Sequence, residues 1–438
     1  MAHLLERYDS ARHGWSRREA THLLWRCAAG ASPSEIDRSV DEGMTKSVAR
    51  LIDSQPESDE FTATENLLHR SALKSGNINS LKNWWLYRFL KTANPLAEKM
   101  TLFWHNHFAT SNAKVRSTEK MDVQNALIRQ HALGNFAELF RTIARDVAML
   151  LWLDGNANRK RHPNENFARE VMELFALGVG NYSEKDIKET ARAFTGWHVR
   201  NDEFWFNKVQ HDAGKKTILG KSGPFKGDDV LEIFLEHPAC ARFVATKLLA
   251  GFVRHDPDSA MVDALAERIR AHKFEIAPVV QELISSQVFY APTSRRALIK
   301  SPVELVVGAH RTLDGRAHLS ECVQLMSDLG QNLFEPPTVK GWEGGRLWIN
   351  SATMLQRANF ASQVTGGERF GKFGASPRTR GSESETVTSY LDLLLAGSVS
   401  KSTHQELTNY LRKAGGSTKE QTSGLVQLIM TLPEYQLI

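Results

Sequence analysis

Cysteine is scarce in this chain, and none of it is arranged for chemistry. Cys27, Cys240 and Cys322 lie far apart and are odd in number. No disulfide framework can use all three, and no Cys-x-x-Cys pair exists to build a zinc ribbon or a redox centre. Each sits in an apolar helical context and reads as a buried small hydrophobe. Long apolar runs are missing too, so no membrane span is expected. An excess of one charge is also lacking: 55 basic against 50 acidic residues leave a net charge of +5. That excess is spread thinly, with no Lys/Arg stripe interleaved with aromatics, so nucleic acid is not an expected partner.

Signature motifs of common chemistries are absent. There is no Gly-x-x-x-x-Gly-Lys-Ser/Thr, no dinucleotide fingerprint after a strand, no Gly-x-Ser-x-Gly elbow, no His-Glu-x-x-His and no kinase set. Nucleotide and serine-hydrolase chemistries are therefore disfavoured. The segment from Met1 to Arg18 is polar and charged. Arg17-Arg18 is a twin arginine, but Glu19 follows it and no apolar signal core does. The pair reads as the start of a helix, and the expected location is cytoplasmic, with periplasmic export on a partner as the alternative.

What the sequence does have is helical periodicity. Ala20, Leu23, Leu24 and Cys27 recur at helical spacing, Gly30 stops that helix, and Ser32-Pro33 starts the next. Asn94-Pro95 breaks and restarts a long apolar face between Leu81 and Phe108. Asn164 caps a helix that Gly178 stops, and Ser183 with Asp186 resembles a capping box. One segment departs from helix. Glu203–Val209 and Lys216–Gly220 flank His211-Asp212-Ala213-Gly214, a pattern that predicts a β-hairpin with the His-Asp pair at its tip. The expected fold is mostly α: a multi-helix globular body over 1–363 with a small β-hairpin insertion near 203–220. A flexible Gly/Ser-rich linker over 364–385 and a C-terminal helical segment, 386–438, packing on the body complete it.

Five strings in combination carry a family resemblance. They are Phe103-Trp104-His105-Asn106-His107-Phe108, Pro163–Glu170 continuing to Glu173-Leu174-Phe175, and Ala191–Trp197. The others are His211-Asp212 with Lys215–Gly220, and Pro336–Trp342 through Trp348-Ile349-Asn350. Together they resemble the bacterial family called domain of unknown function 1800, over roughly residues 12 to 438. The resemblance implies a mostly helical protein and lends no established catalytic residue. Many members carry a twin-arginine export signal, and members are commonly encoded beside a protein resembling sulfatases and alkaline phosphatases. That neighbour is the partner the resemblance implies.

The same strings hold the candidate chemistry. His105 and His107 read either as imidazole ligands for a divalent transition metal or as core residues closing a helix with Asn106. Residues two apart lie about 200° around a helix, so one ion can take both rings only if the stretch is extended. Glu165, Arg169 and Glu173 share one helical face, which suits a structural ion pair. The sharper reading sends Glu170 or Glu173 into a His-carboxylate metal site. His211-Asp212 reads as a base with an orienting carboxylate, as part of a metal sphere, or as plain turn chemistry. The 331–350 loop, with Lys340, Trp342 and Trp348, reads as a pocket wall for a sugar or peptide, or as a loop pinned by its tryptophans.

The resulting candidate set is His105, His107, Glu170, Glu173, His211 and Asp212 as catalytic residues. Trp104, Asn106, Asn164, Arg169, Lys340 and Trp342 are candidates for binding, and His105, His107, Glu173 and His211 for a metal. Two functions follow: an enzyme with a His/carboxylate pocket, metal-dependent or not, and a non-catalytic partner or scaffold for the sulfatase- or phosphatase-like neighbour.

Overall fold

Helix starts organise this chain. Ser16, Ser32, Ser183 and Ser301 cap helices, and their own N–H groups donate back to the carboxylates of Glu19, Glu35, Asp186 and Glu304. Each box satisfies backbone N–H groups that a helix leaves unpaired at its first turn. The twin arginine thus opens the helix Arg17–Ala28. The computed structural model describes residues 5–373, 381–397 and 399–438. Among these, α-helix dominates and β structure is confined to three two-stranded sheets. No helix among the described residues is long and apolar enough to cross a membrane.

The helices pair as neighbours in sequence. Asp59–Ser75 turns at Gly76 and packs against Ile78–Lys91, and Pro238–Phe252 packs against Ser259–Ala271. Arg17–Ala28 packs against Pro33–Ile52 and against Pro95–His107, whose Pro95 sits in the first turn, where a missing N–H costs nothing. One apolar core runs through the molecule. Its central part is aromatic, with Trp85, Trp104, Phe108, Phe136, Phe140 and Phe175 all fully buried. Cys27, Cys240 and Cys322 are free and buried in it, and burial pushes each thiol up to about 12.

The non-helical insertion is there, with different strand partners from those the sequence pattern predicts. β1 (Trp197–Arg200) pairs antiparallel with β2 (Glu203–Phe206), and β3 (Lys216–Ile218) with β4 (Lys221–Gly223). Two tight hairpins therefore replace one wide one. Their turns are Asn201-Asp202, with φ of 52° and 60°, and Leu219-Gly220, with φ of 49° and 80°. Paired positive φ values match the twist of the flanking strands. His211-Asp212 consequently lies in the connection between the hairpins and not at a tip.

β5 (Gly315–Ala317) pairs with β6 (Gly371–Phe373). Of the predicted linker, residues 364–366 belong to the helix Ser351–Gly366 and 371–373 to β6. Residues 374–380 lie outside the described residues. Thr418–Thr431 packs against Ser351–Gly366, and Ile438 pairs its backbone with Leu298. The chain's last described segment is thereby fastened beside the helix Arg17–Ala28, whose Arg26 also reaches the Ile438 backbone oxygen.

Candidate functional site

The Pro95–His107 helix turns one face, carrying Lys99, Leu102, Phe103 and Asn106, toward the Pro238–Phe252 helix, which answers with Phe243, Lys247, Ala250 and Gly251. Both sets follow the i, i+3, i+4, i+7 rhythm of a single helical face. Between them lies a cleft of about 600 Å³, closed on other sides by Glu173, Leu174, Ser301, Glu304 and the loop carrying Lys340, Trp342 and Trp348. That volume is in the range of small-molecule sites.

A change of helical pitch positions Glu173. The helix Glu165–Glu170 continues into a π-helical turn over Val171–Ala176, where Leu177 donates to the Met172 carbonyl five residues back. Such turns cost hydrogen-bond quality and re-aim side chains, and they are frequent at functional sites. Here Glu173 and Leu174 face the cleft while Phe175 enters the core. Tyr182 donates its hydroxyl to the Glu173 carboxylate at 2.9 Å. Glu170, half-buried, is held above the usual carboxylate range by burial and by the neighbouring Glu173, against the pull of Arg169 and Lys340.

Three cleft residues carry charge at depth. Lys99 donates to Glu304 at 2.7 Å. Burial pushes the Glu304 carboxyl up, but Lys99 and the Ser301 cap outweigh it and hold the group below its ordinary value. Lys247 stands in the cleft, open to solvent yet surrounded by protein, with its ammonium 5.3 Å from the Phe243 ring centre. Desolvation lowers its pKa, and no carboxylate bonds to it among the described residues. A lysine so placed gives up its proton more readily than a surface lysine.

The two histidines of the Phe-Trp-His-Asn-His-Phe string part company. The stretch is helical through His107, so the rings point in different directions. His105 is fully buried among Trp85, Phe334 and Trp342, with no partner for either ring nitrogen among the described residues. His107 lies against Phe175 and Phe243, and its Nε2 donates to the Phe175 carbonyl at 3.0 Å. That carbonyl is free to accept because the helix ends there. Burial drives both imidazoles down to about 3. They are neutral over the physiological range and are poor proton acceptors.

His211 and Asp212 belong to another part of the molecule. His211 Nδ1 donates to the Thr195 carbonyl at 2.9 Å, and Asp212 accepts from Arg192 Nε and the Gly214 N–H, each at 2.8 Å. Neither lines the cleft. The predicted metal set of His105, His107, Glu173 and His211 is thus not assembled. Only His107 and Glu173 share the cleft, and among the described residues no group of three or more His, Cys, Asp or Glu side chains could hold a metal ion. The physical reason is the helix: the extended backbone that one shared ion would need is not there.

The binding candidates divide in the same way. Trp104 is a core residue that donates to the Ala132 carbonyl, and Asn164 caps the helix at Asn166. Arg169 is held by Glu184 at 2.8 and 2.9 Å and by Glu165 at 3.6 Å, whereas Glu173 takes Tyr182. Asn106 clamps the loop: its Oδ1 accepts the Trp342 N–H at 2.6 Å and its Nδ2 donates to the Trp342 carbonyl at 3.2 Å. Lys340 and Trp342 line the cleft on that loop.

Gly341 makes the clamp possible. Its φ is +81°, and a Cβ there would sit 2.2 Å from Asn106 Oδ1 and 2.5 Å from the Asn106 backbone oxygen. Gly341→Ala is therefore expected to cost about 2 kcal/mol or more, the left-handed penalty plus the displaced clamp. Urea unfolding would read this as a lower midpoint at unchanged slope.

Lys99, Lys247 and Glu304 escaped the sequence reading. The available signal was a lone charge on an otherwise apolar helical face, at Lys99 before Leu102-Phe103 and at Lys247 after Phe243-Val244. A family model described as Protein of unknown function (DUF1800) matches residues 22–437. No curated protein and no solved structure matches.

Proposed function

Given that the chain belongs to the family Protein of unknown function (DUF1800), which assigns no chemistry, we propose that it is an enzyme whose cleft binds a small polar organic molecule and moves protons on it. The observation that carries this reading is the placement of Lys247, a lysine without a carboxylate partner among the described residues and with its pKa lowered by the protein around it, in the same cavity as the Tyr182-held Glu173. An amine with a depressed pKa and a carboxylate facing one cavity are the parts of general acid–base catalysis. In this reading Lys247 takes or returns the proton, Glu173 serves as its counterpart, and the Lys99–Glu304 pair orients the substrate's polar groups. Trp342 and Phe103 supply the apolar walls. His107 shapes the cleft, and neither it nor His105 takes a proton.

The test is a library of small metabolites screened by thermal shift against the full chain, with mass spectrometry following turnover of whatever binds. Compounds that raise Tm should be converted by the parent. Glu173→Gln should bind them and convert them roughly 10²- to 10⁴-fold more slowly, the usual weight of one acid–base group. Lys247→Met should fall similarly. Binding without turnover in the parent would reject the enzyme reading. No binding at all, with co-purification of the sulfatase- or phosphatase-like neighbour, would favour the partner role.

A further inference from the structure

A second cavity lies behind the first, across the segment from Arg295 to Ser301. Ile299 and Ser301 face the cleft, while Arg296 and Lys300 face the other side. This second cavity measures about 220 Å³, and its lining includes Arg18, Arg295, Arg296 and Lys300 with no Asp or Glu side chain; the Ile438 backbone oxygen beside them is already taken by Arg26 and the Leu298 N–H. We infer that it binds a phosphoryl-class oxyanion, either free phosphate or the phosphate end of a small ester.

Lys300 carries the argument. The residue is only 2% exposed, and its ammonium lies 3.9 Å from the Trp25 ring centre and 3.7 Å from that of Tyr435. Among the described residues no oxygen accepts a hydrogen bond from it, although it borders the cavity. A buried ammonium with donors unused is costly unless an anion or other acceptor completes it. The two rings hold the cation by their faces and leave its donors free.

Arg295 keeps a donor unused: it gives one nitrogen to Glu19 at 2.7 Å, and its Nη1 has no acceptor among the described residues. Arg296 bonds the Leu395 carbonyl. Arg18 is exposed at the mouth, within electrostatic reach of Asp392 behind the lining. Burial depresses the Lys300 pKa, Glu304 pulls it back up, and Arg357 and Arg296 push it further down. An oxyanion reverses that balance. The cavity is smaller than the roughly 300 Å³ at which pockets for drug-sized ligands begin, so its occupant is an ion or a short ester. Arg18 and Arg295 supply planar forks that suit phosphate oxygens, and Lys300 a point charge.

The experiment is calorimetric titration of the full chain with inorganic phosphate and, separately, with glycerol 3-phosphate, each against sodium chloride at equal ionic strength. Saturable heat and a rising Tm are expected with at least one of them. Tighter binding of glycerol 3-phosphate assigns the site to an ester, and equal or weaker binding assigns it to free phosphate. Lys300→Met keeps the apolar stem between the two rings and should weaken binding about tenfold or more, the weight of a charge-assisted hydrogen bond. Should that variant fail to fold, Arg18→Ala at the exposed mouth decides: several-fold weaker binding supports the site, and unchanged affinity overturns it. Absence of saturable binding in the parent, or full affinity in a folded Lys300→Met, overturns it as well. Lys247→Met should bind phosphate like the parent, which separates this site from the cleft.

Discussion

Lowering the pH from 7.5 to 5 is expected to destabilise this protein by several kcal/mol, and pH 4 is expected to unfold it. His105 and His107 are held neutral by burial, at about 3 against an ordinary 6.5. The unfolded chain therefore takes up protons that the folded chain refuses. Stability contributed by such groups is complete above pH 6.5 and drains away as the pH falls toward 3. By pH 5 each imidazole has withdrawn about 2 kcal/mol, and at the limit each withdraws on the order of 5 kcal/mol. A whole domain is stable by only about 5–15 kcal/mol. His22, also buried and also lowered, adds to the loss.

Raised carboxyls oppose this trend: Glu170 and Asp392 in part, and Asp146 most of all. Asp146 is buried, caps the Val147–Trp152 helix through the Met149 N–H, and is raised to about 6. Its folded pKa lies above its unfolded one, so it destabilises above pH 6 and restores about 2 kcal/mol as the pH falls to 4. The histidines, with His198, His211, His255 and His310 lowered as well, outnumber these carboxyls and win. Urea unfolding at a series of pH values measures the balance, and His105→Phe should reduce the acid slope by about one proton while leaving stability at pH 7.5 intact. A flat stability profile between pH 7.5 and 5 would contradict this account of the core.

Arg26→Met is expected to cost about 3–5 kcal/mol, the largest loss from any single side chain considered. Arg26 is fully buried and bonds four backbone oxygens: Phe252 at 2.6 Å, Val253 at 3.0 Å, Ser294 at 2.7 Å and Ile438 at 2.8 Å. Two of these end the Pro238–Phe252 helix, where carbonyls lack helical donors and the dipole is negative. The guanidinium therefore ties three segments distant in sequence to the Arg17–Ala28 helix. Removing it strips a donor from all four buried acceptors, of which the Ile438 oxygen keeps the Leu298 N–H, and each one left unpaired carries a sizeable desolvation penalty. Arg26→Lys should lose less, because an ammonium keeps the charge but cannot span the fork. A shift in urea midpoint equivalent to under about 1 kcal/mol in Arg26→Met would show that the carbonyls find other donors.

Much of the helical frame is readable from residue types. Ser16 with Glu19, Ser183 with Asp186, and Asn94-Pro95 each announce a helix start by a local mechanism that needs no tertiary context. The 200° separation of His105 and His107 was readable too, and it is why they serve different walls. The strand partners were not. Leu219 adopts a left-handed turn that leucine does not advertise, while the more turn-like Asp212-Ala213-Gly214 makes a connection whose carboxylate is drawn to Arg192. The π-helical turn that aims Glu173 has no residue signature. Lys99 and Lys247 come from helices that lie far apart in the sequence, so their shared cleft exists only after packing.

The most direct test of the cleft as the working site is a crystal structure with a converted compound, or its unreactive analogue, bound. The cleft account predicts the molecule between the Pro95–His107 and Pro238–Phe252 helices, with polar atoms in hydrogen-bond reach of Lys247 Nζ and the Glu173 carboxylate. A ligand seated elsewhere, with both side chains untouched, would contradict it.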